Sequence, residues 1–411
     1  MKILFIHQNF PGQFKHIAPE LVKKGHEVFA MPLQTKKVQN IDGIKYFPYQ
    51  VARGTSANIH PWISDFETKI IRADACFHAA HRLKSGGFYP DLIIAHHGWG
   101  ESMFLKEVWP KAKLGLYCEF FYNPINQDVD FDPEFVSKSL GETPRLILKN
   151  LNNLTHFQIA DYGISPTLWQ ASTFPSPFKD KIKVIHDGID TSLLTPNKKA
   201  ILLINNKLKI TTSDQVITFV NRNLEPYRGY HIFMRALPLI LKRNPNVKVL
   251  IVGGDGVSYG SKAPNKKTWK DIFFNEIEST LSAQEKSRIL YLGFISYEHF
   301  ILLMQISTVH IYLTYPFVLS WSLLEAMSMG CSVIASNTAP VHEVITHQKN
   351  GLMVDFFDYQ QLAEYALNLL SDDRLRAQLS EKARETVISK YDLNFCLNQQ
   401  VDWIESLSNS N

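Results

Sequence analysis

Two arginines six residues apart, Arg222 and Arg228, stand in a loop directly after an apolar run at 216–220. Arginine presents a planar fork of donors that matches phosphate oxygens, and a cation fixed beside a departing phosphate stabilises the charge that develops there. A second segment, 315–330, reads as a strand end, a loop and a helix start, with Phe317, Leu319, Ser320 and Trp321 before Glu325. Unpaired amides and the dipole at such a helix start favour an anion. Glu325, about one turn further in, is placed to hold neutral hydroxyls of the same ligand. The same residues also fit a local cap, Ser322-x-x-Glu325, in which both side chains only satisfy backbone amides.

Three groups near the N-terminus could handle a second substrate. Gly12 lies at the first strand-to-helix turn, where a glycine lets backbone approach a ligand. His96-His97 and Glu119 follow two later apolar runs, and a histidine or carboxylate there could orient or deprotonate a hydroxyl. The paired histidines fit a structural role equally well. Asp128-Val129-Asp130, followed by Asp132, is an Asp-x-Asp match whose polar setting reads as an acidic surface loop, so no metal site is expected.

Positioning these groups needs strands that deliver them and helices that pack behind. Residues 2–6 are apolar throughout, the pattern of a strand buried on both faces of a parallel sheet. A helix is expected over 14–24, and further strands at 28–31, 92–95, 114–117 and 183–185, with helical segments at 59–83 and 135–154. A polar stretch at 195–212 separates this half from a second alternation. There, strands are expected at 216–220, 248–252, 289–292, 309–313, 333–335 and 351–354, and helices at 230–243, 297–306, 323–329 and 340–347, with helices only from 359. Two such alternations predict an α/β protein with two Rossmann-like, doubly wound parallel-sheet domains, 1–200 and 201–385, and a last helix within 386–411 packing back on the first. In such sheets ligands bind beyond the carboxyl ends of the strands, where the candidate residues lie.

Composition removes several classes. The 411 residues are 45% hydrophobic and 20% charged with net charge +4, which fits a globular chain and not a nucleic-acid binder. Four scattered cysteines form no zinc or disulfide pattern and fit a reducing cytoplasm. The N-terminal apolar run is short for a signal peptide, and no run reaches the roughly 18 apolar residues of a membrane span. The chain is therefore expected to be cytoplasmic, at most touching a membrane surface through Lys15, His16, Lys23 and Lys24. A dinucleotide-binding start is excluded, because the loop after residues 2–6 holds one glycine and the second strand ends without an acid.

The segments around Arg222, Arg228 and Glu325 resemble glycosyltransferase family 4. That family carries Leu-Glu-Ala-Met on a helix behind a loop, and an Arg followed by a Lys before a glycine, where Arg228 stands here for the lysine. Residues 184–190, Gly253-Gly254-Asp255-Gly256, Leu292-Gly293-Phe294 and 337–343 resemble the family's neighbouring turns, and the likeness runs from about 160 to 390. It implies the GT-B fold, with two domains facing across a cleft and the donor held by the second. By the resemblance, Glu325 meets the ribose, Arg222 and Arg228 the diphosphate, Gly254 and Phe294 surround the base, and Gly12 approaches the sugar and phosphate. Glu119 takes the place where many members have a histidine. Phe317 stands where the family has an acid that touches the sugar, and Ser320 where it has a glycine.

The implied activity is retaining, metal-independent transfer of a hexose or N-acetylhexosamine from a UDP- or GDP-sugar to a hydroxyl of a glycan, glycolipid or protein, in bacterial polysaccharide or glycolipid assembly. No cofactor is expected. Arg222, Arg228, Glu119 and His97 are the candidate catalytic groups. Two other readings stand beside it: a degenerate nucleotide-sugar-binding partner of another transferase, and a GT-B epimerase.

Overall fold

The computed structural model describes residues 1–34, 41–136, 140–205 and 207–408. The chain divides into two compact units, Met1–Gly188 with Leu393–Asn411, and Ile189–Asp392. The division thus falls before the polar stretch in which a boundary at residue 200 was expected.

The first unit is built on a parallel sheet of order β3-β2-β1-β4-β5-β6-β7 among the described residues. Its strands are β1 (Lys2–Ile6), β2 (Glu27–Met31), β3 (Ile44–Tyr46), β4 (Leu92–His96), β5 (Lys113–Tyr117), β6 (Tyr162–Ser165) and β7 (Ile182–Val184). The continuous apolar runs follow from burial on both faces. Leu4, Ile6, Ile93, Ala95, Leu114 and Leu116 enter one core. The alternate residues Ile3, Phe5, Leu92 and Ile94 enter the other. That second core is completed by Val401, Ile404 and Leu407 of the last helix, Leu393–Ser408.

The second unit opens with a hairpin, β8 (Ile201–Ile204) and β9 (Leu208–Thr211), inside the stretch that reads as a linker. Its main sheet is parallel, of order β12-β11-β10-β13-β14-β15. These strands are β10 (Val216–Asn223), β11 (Lys248–Gly254), β12 (Ile289–Gly293), β13 (Val309–Tyr312), β14 (Ser332–Ser336) and β15 (Leu352–Val354). Phe219 of β10 stacks on Phe233 of the helix Tyr230–Arg243 at 4.5 Å, tying that helix to the sheet.

Several expected elements change form. The helix placed at 14–24 is a 3-10 turn, Gly12–Phe14, followed by a helix at Ile17–Lys23, so Lys15 and His16 precede the helix and Lys23 pairs with Glu20. The helix placed at 59–83 is a 3-10 turn, Pro61–Ile63, running into Ser64–Ser85. The helical segment 135–154, of which 137–139 lie outside the described residues, is two helices, Glu142–Lys149 and Leu151–Ile159. They part at Asn150, whose side chain leaves the helix to accept from the Tyr122 amide and donate to its carbonyl. The helix placed at 340–347 is the short Ala339–His342.

Candidate functional site

In the second unit a pocket of about 400 Å³ opens at the carboxyl ends of β10, β11 and β12 and at the start of the helix Trp321–Ser328. Its lining includes Arg222, Arg228, Phe294, Ser320 and Glu325. A bulge between Val220 and Asn223 on β10 breaks the strand alternation there, and Arg222 within it is exposed. Arg228 ends a 3-10 turn, Pro226–Arg228, which Gly229 closes at φ +71°. A side chain at Gly229 would meet Leu313 Cβ at 2.3 Å, so only glycine fits that turn.

Arg228 is only 6% exposed, yet among the described residues it pairs with no carboxylate. Its guanidinium donates to Thr314 Oγ1 at 2.6 Å and to the Val318 carbonyl at 3.4 Å, and it lies 5.0 Å from the ring centre of Tyr259. A buried cation without a counter-charge carries a desolvation cost that an arriving anion relieves. Ser320 caps the helix by accepting from the Ser322 amide, and its own amide donates to Tyr312 Oη. The box between Ser322 and Glu325 does not form. Glu325 instead accepts from Tyr297 Oη at 2.8 Å on the pocket wall.

Of the remaining donor-site candidates in the second unit, Phe294 lines the pocket, and Gly254, Phe317, Leu319 and Trp321 are not among its lining residues. Phe294 is 75% exposed at the rim, over Gly254, where a side chain would come within 2.3 Å of the Phe294 ring. Leu319 and Trp321 pack into or against the second unit's core. Phe317 is buried against Tyr227 and Tyr259, with ring centres 5.1 and 5.0 Å away. Sequence reasoning missed Glu225, Ser258, Tyr259 and Tyr297 in the lining. Glu225 lies between the two arginines and was the one with a visible signal.

In the first unit the candidates gather at the carboxyl ends of β1, β4 and β5. Gly12, at φ +47°, makes room for an internal group: a Cβ there would lie 2.3 Å from the His7 imidazole. His7 Nδ1 accepts from the Asn9 amide, so Nε2 carries the proton and donates to Gln13 Oε1 at 2.8 Å. Gln13 Nε2 in turn donates to Glu119 Oε1 at 3.2 Å. His96 Nδ1 accepts from the Gly98 amide, and its Nε2 lies 3.4 Å from Glu119 Oε2, while Trp99 stacks on its ring at 4.0 Å. His97 Nε2 accepts from the Glu119 amide and Nδ1 donates to Asn153 Oδ1 at 2.6 Å. Both nitrogens of His97 are therefore committed.

Charge follows from this packing. Burial, reinforced by His96, brings His7 down to about 3 and His97 well below the usual imidazole range. For Glu119 burial acts upward, but the imidazoles of His96 and His7 and the Gln13 amide outweigh it and hold the carboxyl below its ordinary value. Glu119 is thus an anchored anion, with its side chain about a third exposed. His7, Gln13 and Trp99 were not singled out from the sequence, because their partners lie up to 106 residues away.

Two doubly wound parallel sheets with candidate groups at their carboxyl edges define a GT-B protein. HepE from Anabaena, solved with UDP and glucose, superposes with a TM-score of 0.67 at 17% identity over 99% of this chain and 100% of that one. Residues 24–194 match the glycosyl transferase family 4 group and residues 202–386 match the glycosyl transferases group 1. The chain belongs to glycosyltransferase family 4. Spore coat protein SA of Bacillus subtilis is 27% identical over 240 residues, 57% of this chain and 60% of that protein. D-inositol 3-phosphate glycosyltransferase of Corynebacterium efficiens is 26% identical over 320 residues, 74% of this chain and 68% of that protein. Among the described residues no helix is long and apolar enough to cross a membrane.

Proposed function

We propose that the chain transfers a hexose or N-acetylhexosamine from a UDP- or GDP-sugar to a hydroxyl acceptor, with retention of configuration and without a required metal. The observation that carries this is Arg228, a buried cation with no carboxylate partner among the described residues, lining a pocket with Arg222. A nucleoside diphosphate supplies the missing negative charge. Arg222 and Arg228 would do at the leaving diphosphate what a divalent ion does elsewhere. Glu325, held by Tyr297, would accept from the ribose hydroxyls, and the start of the helix Trp321–Ser328, where Ser320 and Ser322 line the pocket, would face a phosphate. Gly254 and the exposed Phe294 would frame the base. Glu119, as an ionised carboxylate, would orient the acceptor hydroxyl. UDP bound to HepE and the transferase named among the relatives support a nucleotide-sugar donor. A glycan, glycolipid or protein acceptor, reached in the cytoplasm or at a membrane surface, completes the reading.

The test is a thermal-shift series with UDP, GDP, ADP and their sugar conjugates, with and without EDTA. Ligand at 100 times Kd adds about 2.7 kcal/mol of stability, read as several degrees. A shift with UDP or GDP that survives EDTA supports the reading, and no shift with any nucleotide sinks it. Phe317, an aromatic where the family has an acid, favours one second reading, a nucleotide-sugar-binding partner without turnover. Binding with no hydrolysis or transfer from any bound donor would select it.

A further inference from the structure

Glu225 is a carboxylate only 1% exposed, three residues from Arg228, yet the two do not form an ion pair. Its oxygens are occupied by a loop. Oε1 accepts from the Ser258 amide at 3.0 Å, and Oε2 accepts from the Tyr259 and Gly260 amides at 3.3 and 3.1 Å. Asn223 grips the same loop, donating to Ser258 Oγ at 2.7 Å and accepting from the Gly256 amide at 3.2 Å. The loop so held presents Ser258 and Tyr259 to the pocket, with Tyr259 against the Arg228 guanidinium. Three charge-assisted hydrogen bonds satisfy a buried carboxylate that would otherwise seek the nearest cation.

We propose that Glu225 is a positioning residue for the diphosphate: by gathering the amides of Ser258, Tyr259 and Gly260 it fixes Tyr259 over Arg228 and is itself kept from neutralising that charge. This deepens the donor reading and rests on it. The arrangement gives an unusual sign. Removing a negative charge beside an anion site ordinarily tightens anion binding, whereas releasing this loop weakens it.

The experiment is calorimetric titration of UDP and GDP into the full chain, for the unaltered protein, Glu225→Gln, Tyr259→Ala and the double variant, with the melting temperature of each recorded. Glu225→Gln is expected to raise Kd about tenfold, a change of about 1.4 kcal/mol. Tyr259→Ala should act in the same direction, and the double variant should bind no more weakly than Tyr259→Ala alone. With donor sugar, the rise should fall on KM and leave kcat within about twofold. Unchanged or tighter binding by Glu225→Gln, or additive effects in the double variant, would overturn the proposal. Tyr259 is 43% exposed, so its variant folds even where Glu225→Gln does not, and an unchanged Kd for it alone also overturns the idea. Failure of the unaltered protein to bind either nucleotide refutes the donor reading itself, which is a different outcome.

Discussion

The two units place charged groups at the same edge of the same kind of sheet, but they satisfy them differently. In the first unit His7, Gln13, His96 and His97 are bonded to one another, to backbone amides or to Glu119, which keeps an exposed face. In the second unit Arg228 and Glu225 are buried side by side without pairing, and Arg222 reaches into solvent. The first arrangement spends its polar groups on shape, and the second leaves a charge outstanding for a ligand. Burial of a titratable group is therefore a poor guide to function until its partners are counted.

The largest effect should come from the unspent charges. Arg222→Ala is expected to lower turnover by about 10²–10³, about 3–4 kcal/mol, with little change in melting temperature. Steady-state kinetics that show less than a threefold loss would erase the contrast between the units. Next comes His97→Ala, which strands the Glu119 amide at roughly 1–3 kcal/mol and leaves Asn153 Oδ1 with the Asn152 side-chain amide as its remaining donor. Urea denaturation should register that loss. Full stability with abolished turnover would instead make His97 a catalytic group.

A third effect, spread over pH, tests the same packing. His7 is held at about 3, and burial brings His156, His186 and His310 to about 4, against about 6.5 when unfolded. The unfolded chain then binds protons that the folded chain refuses, so this stability is complete above pH 6.5. It is lost as pH falls from about 6.5 toward 4, at about 1.4 kcal/mol per pH unit for each histidine. Urea midpoints that stay flat from pH 7 to 5 would show the histidines to be accessible.

The smallest effect concerns Glu101, buried with one oxygen bonded to Tyr49 Oη and its carboxyl pushed up by burial. Its folded value lies above the unfolded one, so its contribution is complete below the unfolded value and is lost as pH rises from there through the folded one. Glu101→Gln should flatten that loss and change stability at neutral pH by about 1 kcal/mol or less. A larger destabilisation at pH 7 would mean that the ionised form is the one the fold uses.

Legibility followed the range of the interactions. The spacing of Arg222, Arg228 and Glu325 was readable because one strand end and one helix start, each local in sequence, present them. The alternative cap at Ser322 used equally local rules, and it loses to a bond from Tyr297, which no local pattern shows. His7, Gln13, Tyr259 and the role of Glu225 escaped for the same reason, since each is defined by a partner far along the chain or in an irregular loop. The strands β3, β6 and the pair β8 and β9 are three or four residues long, too short for a period to declare itself.

The last helix, Leu393–Ser408, returns to the first unit's core, and the strand-like contact of Ile189 with Asp392 marks where the chain enters and leaves the second unit. The second unit is thus an insertion within the first. On the ribosome it can close its core as soon as Asp392 emerges, while the first unit, begun earlier, stays open along one face until Val401, Ile404 and Leu407 have been made. The order of completion runs opposite to the order of synthesis.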